Sequence, residues 1–244
     1  MNIGISLTIA SKELKVLRRK RSVMAYVVLL PLLLSILFSL VVQNQIFNSS
    51  EIPSDYQLGL DSLSYIFVVL AAILPGSIAA YSVVGEKIEK SLEPLLATPA
   101  SDGEILLGKS IAAFLPPILA TWAGASIFMV RTDLITHNIL TFYYFPNLIS
   151  GIMFLLLAPI AAIFSIEMAV IASSRVSDVR SANQIAGLMF IPFMAVFIEG
   201  VTRAIAFDVS TLLVISFVFL IIDVGLFFLS TSTFRREAIL TKWK

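Results

Sequence analysis

Cysteine is absent from the 244 residues, and histidine occurs once, at His137. No disulfide, thiolate nucleophile, iron–sulfur cluster or Cys-based zinc site can form, and histidine-based metal sites or proton relays have almost no material. Charge is scarce as well. Only 14% of residues are Asp, Glu, Lys or Arg, and 17 basic side chains against 16 acidic ones leave a formal net charge of +1. No overall basic field exists to draw nucleic acid, so none is expected as a partner. What the chain has is apolar surface. At 58% hydrophobic residues and a mean hydropathy of +0.96, it departs from soluble domains, which run at about 45–50% apolar and about 25% charged. The lipid bilayer is its expected surroundings.

A transmembrane helix needs about 20 mostly apolar residues to cross about 30 Å of hydrocarbon. Six segments meet or approach that length, at about 22–42, 62–84, 110–130, 148–172, 182–198 and 209–230. The connections between them are short, so residues 1–244 read as one all-α polytopic membrane domain. Fifteen of the 17 basic residues fall on one side of these spans; only Arg131 and Arg203 fall on the other. Short cytoplasmic loops carry the Lys/Arg excess, so both termini are expected in the cytoplasm of a multi-pass protein of the cell membrane. An even number of spans agrees. The first apolar stretch is too long, and its basic flank too extended, for a cleaved signal peptide. Within residues 1–21, Ile3, Leu7, Ala10, Leu14 and Leu17 recur at helical spacing, with Lys12, Lys15 and Arg19 elsewhere around the helix. That pattern predicts an amphipathic helix lying in the headgroup plane.

Six of the ten prolines (Pro31, Pro75, Pro116, Pro117, Pro159 and Pro192) lie inside spans. Kinks or breaks are expected in five of the six helices. Ala72, Gly76 and Ala80 on the second span, and Ala161, Ser165 and Ala169 on the fourth, put small residues at four-residue spacing. Such faces let helix backbones approach closely and should pack on protein. Glu167 in the fourth span and Asp223 in the sixth are carboxylates well inside apolar segments. A charge there is costly unless it faces protein or water, so both should point inward or toward a subunit interface, as substrate or proton contacts or as hydrogen-bonded structural groups. Phe142, Tyr143, Tyr144 and Phe145 beside Pro146 read as an interfacial aromatic belt.

Residues 103–110 match the phosphate-loop pattern G-x-x-x-x-G-K-[ST] letter for letter. The surroundings exclude that function: a phosphate loop follows a buried strand in a nucleotide-binding fold, whereas here a Pro-containing loop precedes and a membrane span follows. No G-x-S-x-G or H-E-x-x-H pattern supports an intramembrane hydrolase.

The segment 85–109, GEKIEKSLEPLLATPASDGEILLGK, is the most informative in the chain. Ile88, Leu92, Leu95 and Leu96 form an apolar face among Glu86, Lys87, Glu89, Lys90 and Glu93, with Pro94 and Pro99 as punctuation. An amphipathic helix results, suited to headgroups or to a groove on a soluble partner. Here the sequence resembles the permease subunits of ATP-binding-cassette exporters of the type-2 family. The resemblance rests on Glu86, Lys87, Leu92, Glu93, Leu95, Leu96, Ala97, Thr98, Pro99 and the run from Glu104 to Lys109. It extends to Ser173 through Arg180 with Asn183, Gln184 and Pro192, and to Lys12, Glu13 and Leu14, which resemble a membrane-lying connecting helix. Lys90-Ser91 stands where the family often has Gly-Thr, and Pro94 where a helix former is usual.

The resemblance implies six transmembrane helices, an N-terminal interfacial helix, and a cytoplasmic coupling helix between spans two and three. It implies that Glu86, Lys87, Glu89, Leu92, Glu93, Leu95, Leu96, Thr98 and Pro99 couple the spans to a separate soluble ATPase subunit. ATP and Mg would reside on that subunit, with no cofactor, metal or catalytic residue in this chain. Two permease chains, identical or related, would form the export path. The competing expectation is an ion- or proton-coupled secondary transporter built on Glu167 and Asp223, although no inverted repeat is visible between the halves.

Overall fold

The computed structural model describes residues 3–48, 56–88, 100–140, 143–175, 181, 184, 187–202, 204–205 and 207–233. Their regular structure is entirely helical. In chain order the helices are α1 (Ile3–Arg19), α2 (Arg21–Asn48), α3 (Tyr56–Ile88), α4 (Asp102–Leu140), α5 (Leu148–Ile152), α6 (Ala158–Arg175), α7 (Ile191–Val201) and α8 (Val209–Thr233), with a π-helical turn at Met153–Leu157 joining α5 to α6.

Among the described residues, five segments are long and apolar enough to cross a membrane: Arg21–Asn44, Tyr56–Ser82, Asp102–His137, Leu148–Ser173 and Val209–Thr231. They cover five of the six expected spans. Of the remaining one, expected at 182–198, positions 182, 183, 185 and 186 lie outside the described residues, and the described part holds the 11-residue apolar helix α7. Phe193 of α7 stacks on Phe219 of α8 at 4.3 Å, and Phe164 of α6 meets both edge-on, which holds the short helix against the bundle.

The centre of the bundle is α3, 78% buried over its most apolar window, while the corresponding figure for α8 is 22%. The closest packing joins α3 to α6, and the small residues explain it. Ala72, Gly76, Ala80, Ala161, Ser165 and Ala169 are all buried, and a Cβ on Gly76 would lie 2.3 Å from the Ser165 Oγ. The two backbones therefore meet where the four-residue spacing predicts.

Helix ends follow local chemistry. Ser101 and Glu104 form a reciprocal cap on α4: the Ser101 N–H donates to Glu104 Oε2 at 2.9 Å, and the Glu104 N–H to Ser101 Oγ at 3.4 Å. Asn147 and Ser150 do the same for α5. Asp208 accepts from the Ser210 hydroxyl and the Thr211 N–H ahead of α8, which holds its carboxyl below the usual range.

The prolines leave α2, α3 and α4 continuous through Pro31, Pro75 and Pro116–Pro117. Pro159 acts differently, following the π-helical turn in which the Ala158 N–H reaches the Met153 carbonyl. In that register the Phe154 carbonyl faces position 159, where proline has no N–H to give. The indole N–H of Trp122 donates to it instead at 2.8 Å, tying α4 to the turn.

Candidate functional site

Two groups of buried polar side chains occupy the end of the bundle where α3 and α6 finish and α4 begins. The first joins three helices. Lys109 of α4 is 3% exposed and places its Nζ 3.6 Å from Glu13 Oε1 of α1; it also donates to Ser82 Oγ of α3 at 3.1 Å. The Ser82 hydroxyl in turn donates to Glu13 Oε2 at 3.2 Å. Lys12 adds a contact of 3.4 Å to Glu13 from the exposed side. Buried charges persist when paired and hydrogen-bonded, as here.

The preceding residue explains how α1 comes so close. A Cβ on Gly108 would stand 2.7 Å from the Ser6 carbonyl oxygen and 2.8 Å from the Ile9 Cβ. Glycine therefore lets α1 lie on α4, and the lysine beside it ties the crossing. This is the real use of the phosphate-loop letters: residues 103–110 are the capped start of a 39-residue helix, with Gly108 at a crossing and Lys109 in an ion pair. Nearby, the Lys20 ammonium reaches the Tyr81 hydroxyl and stands 4.1 Å from the ring centroid, fixing the turn between α1 and α2 against α3.

The second group lies at the cleft between α4, α6 and α8, a space of about 510 Å³. Each wall is one helical face: Gly103, Leu106, Ser110 and Phe114 on α4, Ile163, Glu167 and Val170 on α6, and Phe227, Ser230 and Thr231 on α8. Glu167 is 7% exposed, and its Oε2 has no hydrogen-bond partner among the described residues. Asp223 is 5% exposed, and neither of its carboxylate oxygens has one. It lies one turn before Phe227 on the same face of α8, within Coulombic reach of Glu167. Both carboxylates thus face the interior of the bundle, as their depth in apolar sequence predicts.

At the opposite end a third polar set closes the bundle. Asp133 Oδ1 accepts the N–H groups of Tyr144 and Phe145 at 3.0 and 3.1 Å, and Asp61 Oδ2 accepts the Tyr144 hydroxyl at 2.9 Å. Burial, with the Asp61 charge beside it, pushes the Tyr144 hydroxyl's pKa up. Of the three described rings, Phe145 is buried against Phe128, Tyr144 is half-buried, and Tyr143, stacked on His137, is 62% exposed. Phe142 lies outside the described residues.

Of the residues expected to couple to an ATPase, Glu86 and Lys87 fall on the last turn of α3. Glu89, Leu92, Glu93, Leu95, Leu96, Thr98 and Pro99 lie outside the described residues. Glu13 and Lys109 are named by sequence reasoning only within the family resemblance and Ser82 not at all, and the three are not paired there, although Ile9, Glu13 and Leu17 repeat every four residues and mark one face of α1. The face buried on protein is Ser6, Ile9, Ala10, Glu13 and Leu17, which shares Ala10 and Leu17 with the apolar stripe. Ile3 and Leu7 point away from the protein, 66% and 53% exposed, while α1 rests its Gly108-facing side on α4.

Among the described residues no group of three or more His, Cys, Asp or Glu side chains could hold a metal ion. No curated protein matches the chain. A family model described as ABC-2 family transporter protein matches residues 7–232. The chain belongs to that family: it is the membrane permease component of an ABC transporter, a family whose members lack an ATPase domain.

Proposed function

We propose that this ABC-2 permease chain forms half of an ATP-driven export path, paired with a second permease chain and driven by a soluble ATPase docked on the segment between α3 and α4. Six spans are completed by the stretch around α7, and the basic ends of the bundle, with both termini, face the cytoplasm. Glu86, Lys87, Glu89, Leu92, Glu93, Leu95, Leu96, Thr98 and Pro99 form the coupling element; the leucines pack on the ATPase while the charges set its docking geometry. ATP and Mg bind on the partner subunit. Family membership puts the energy source in ATP and so weighs against an ion gradient acting through Glu167 and Asp223.

The observation that carries this reading is the family match combined with the position of the Glu13–Ser82–Lys109 tie. Ser82 precedes the end of α3 at Ile88 by under two turns, and Lys109 follows the start of α4 at Asp102 by two. A push on the intervening segment therefore meets α1, α3 and α4 bound together. ATP-driven closure favours one arrangement of the helices through differential contacts at that segment.

The test is copurification of the chain with an ABC ATPase from a neighbouring reading frame, followed by Glu86→Lys and Glu93→Lys. These variants are expected to keep expression and dimer formation while losing most ATP-dependent transport. Full transport in both would sink the coupling role.

A further inference from the structure

The coupling reading leaves the cleft between α4, α6 and α8 without a task. We propose that this cleft is a binding site for a cationic amphiphile, an elongated apolar molecule bearing one protonated or quaternary amine, with Glu167 and Asp223 supplying the counter-charge.

Size comes first. About 510 Å³ falls in the range of about 300–1,000 Å³ typical of small-molecule pockets. Leu106, Ile111, Phe114, Ile163 and Val170 give the walls an apolar character that suits a hydrocarbon or aromatic body. Charge then selects among apolar ligands. Glu167 lines the cleft and is nine-tenths buried with an unpartnered oxygen, and Asp223, one turn before Phe227 on α8 and outside the lining itself, stands within Coulombic reach of it. Neither makes an ion pair with a described Lys or Arg, whereas Glu13, at equal burial, has Lys109.

A carboxylate lining an apolar space, with a second within Coulombic reach, disfavours an anionic ligand, and a neutral one leaves the Glu167 oxygen desolvated and unsatisfied. A cation on an apolar body satisfies both requirements. Ser110, Ser230 and Thr231 place hydroxyls on the walls, where they can take part in hydrogen bonding without adding charge.

Position gives the route of entry. The cleft is built from the first turns of α4, the middle of α6 and the last two turns of α8, and its α4 and α8 walls reach the ends assigned above to the cytoplasmic side. A cationic amphiphile in the inner leaflet reaches it laterally with its head at the interface. Resting on the permease reading, this makes such molecules the substrate class; the site itself stands without that reading.

The full-length chain in zwitterionic phosphatidylcholine nanodiscs, alone and with its ATPase, is titrated with rhodamine 6G, an apolar cationic dye, and Nile red, an apolar neutral one, by fluorescence anisotropy against empty discs. Saturable rhodamine 6G binding is expected, weakened about tenfold or more by Glu167→Gln with Asp223→Asn, as for loss of a charge-assisted contact. Asp61→Asn, which removes a buried acid at the other end, should leave it unchanged. Ile163→Trp keeps both acids but fills the cleft, and should abolish binding even if the double variant fails to fold. Equal binding by wild type and a folded double variant, undiminished binding by Ile163→Trp, Nile red binding with the same dependence on the acids, or no saturable binding overturns the site. Dye binding that never alters ATP hydrolysis by an associated ATPase removes the substrate assignment and leaves the site. Failure to associate with any ATPase removes the permease mechanism and leaves the binding result standing.

Discussion

Glu13 and Glu167 are buried to nearly the same degree, 5% and 7% exposed, yet they sit in opposite circumstances. Glu13 is met by Lys109 and Ser82 from two other helices. Glu167 has for company a second carboxylate, Asp223, and an apolar cleft. Burial alone therefore does not tell a structural charge from a ligand-seeking one; the neighbours across the helix interface do. Where the protein needs α1 held on α3 and α4, it closes the polar network internally. Where a cavity remains, Glu167 is left facing it, with Asp223 in Coulombic reach.

The contrast makes opposite predictions for removing charge. The largest effect belongs to Lys109→Met, which removes the buried cation of Glu13 and leaves it only the exposed Lys12; the loss should be up to about 3 kcal/mol of stability. Adding Glu13→Gln should recover most of it, since removing both charges also removes the uncompensated one. Thermal unfolding of the purified chain in detergent measures both, and a double variant as unstable as the single would break the comparison.

A smaller effect is expected from Gly108→Ala, whose Cβ would lie 2.7 Å from the Ser6 carbonyl. Forcing α1 off α4 should cost about 1–3 kcal/mol. Gly225→Ala, with nothing within 4 Å of the added Cβ, should be neutral or slightly stabilising by comparison. Equal behaviour of the two would show that the α1 crossing contributes nothing.

The smallest expected change is in the stability of Glu167→Gln with Asp223→Asn. These amides remove charges that have no internal cation among the described residues, so the unliganded chain should unfold at the same temperature or a few degrees higher. A loss comparable to that of Lys109→Met would mean that the acids hold the fold together, and the two regions would no longer differ in kind.

Much of this architecture is legible in the linear sequence because the bilayer imposes simple requirements. Length and apolar content locate the spans, and α2, α3, α4, the α5–α6 unit and α8 fall where those criteria place them. The small-residue faces of α3 and α6 are equally legible, since side-chain volume at a fixed spacing limits how closely two backbones approach. Family membership agrees with the resemblance carried by residues 86–109 and 173–192.

Other features depend on residues far apart in the chain. Lys109 reads as a loop cation ahead of the third span, yet it is buried beneath Glu13, 96 positions away in sequence. Asp61 reads as an ordinary span-end residue, yet it accepts the Tyr144 hydroxyl from across the bundle. The apolar stripe of α1 is legible on Ile3, Leu7, Ala10, Leu14 and Leu17, but not that the face packed on protein adds Ser6, Ile9 and Glu13 to Ala10 and Leu17 and leaves Ile3 and Leu7 outward. Periodicity identifies an amphipathic helix; it cannot choose between two adjacent faces when one contains a carboxylate whose partner is unknown.

The sequence by itself thus determined that this is a helical membrane protein, where five of its candidate spans lie, and which carboxylates are out of place in them. Each of those follows from transfer free energy along a single segment. The tertiary structure decided which buried charges are satisfied. An ion pair needs two side chains within about 4 Å, and that separation is fixed by how α1, α3, α4, α6 and α8 pack, a property that no one of these helices carries in its own sequence.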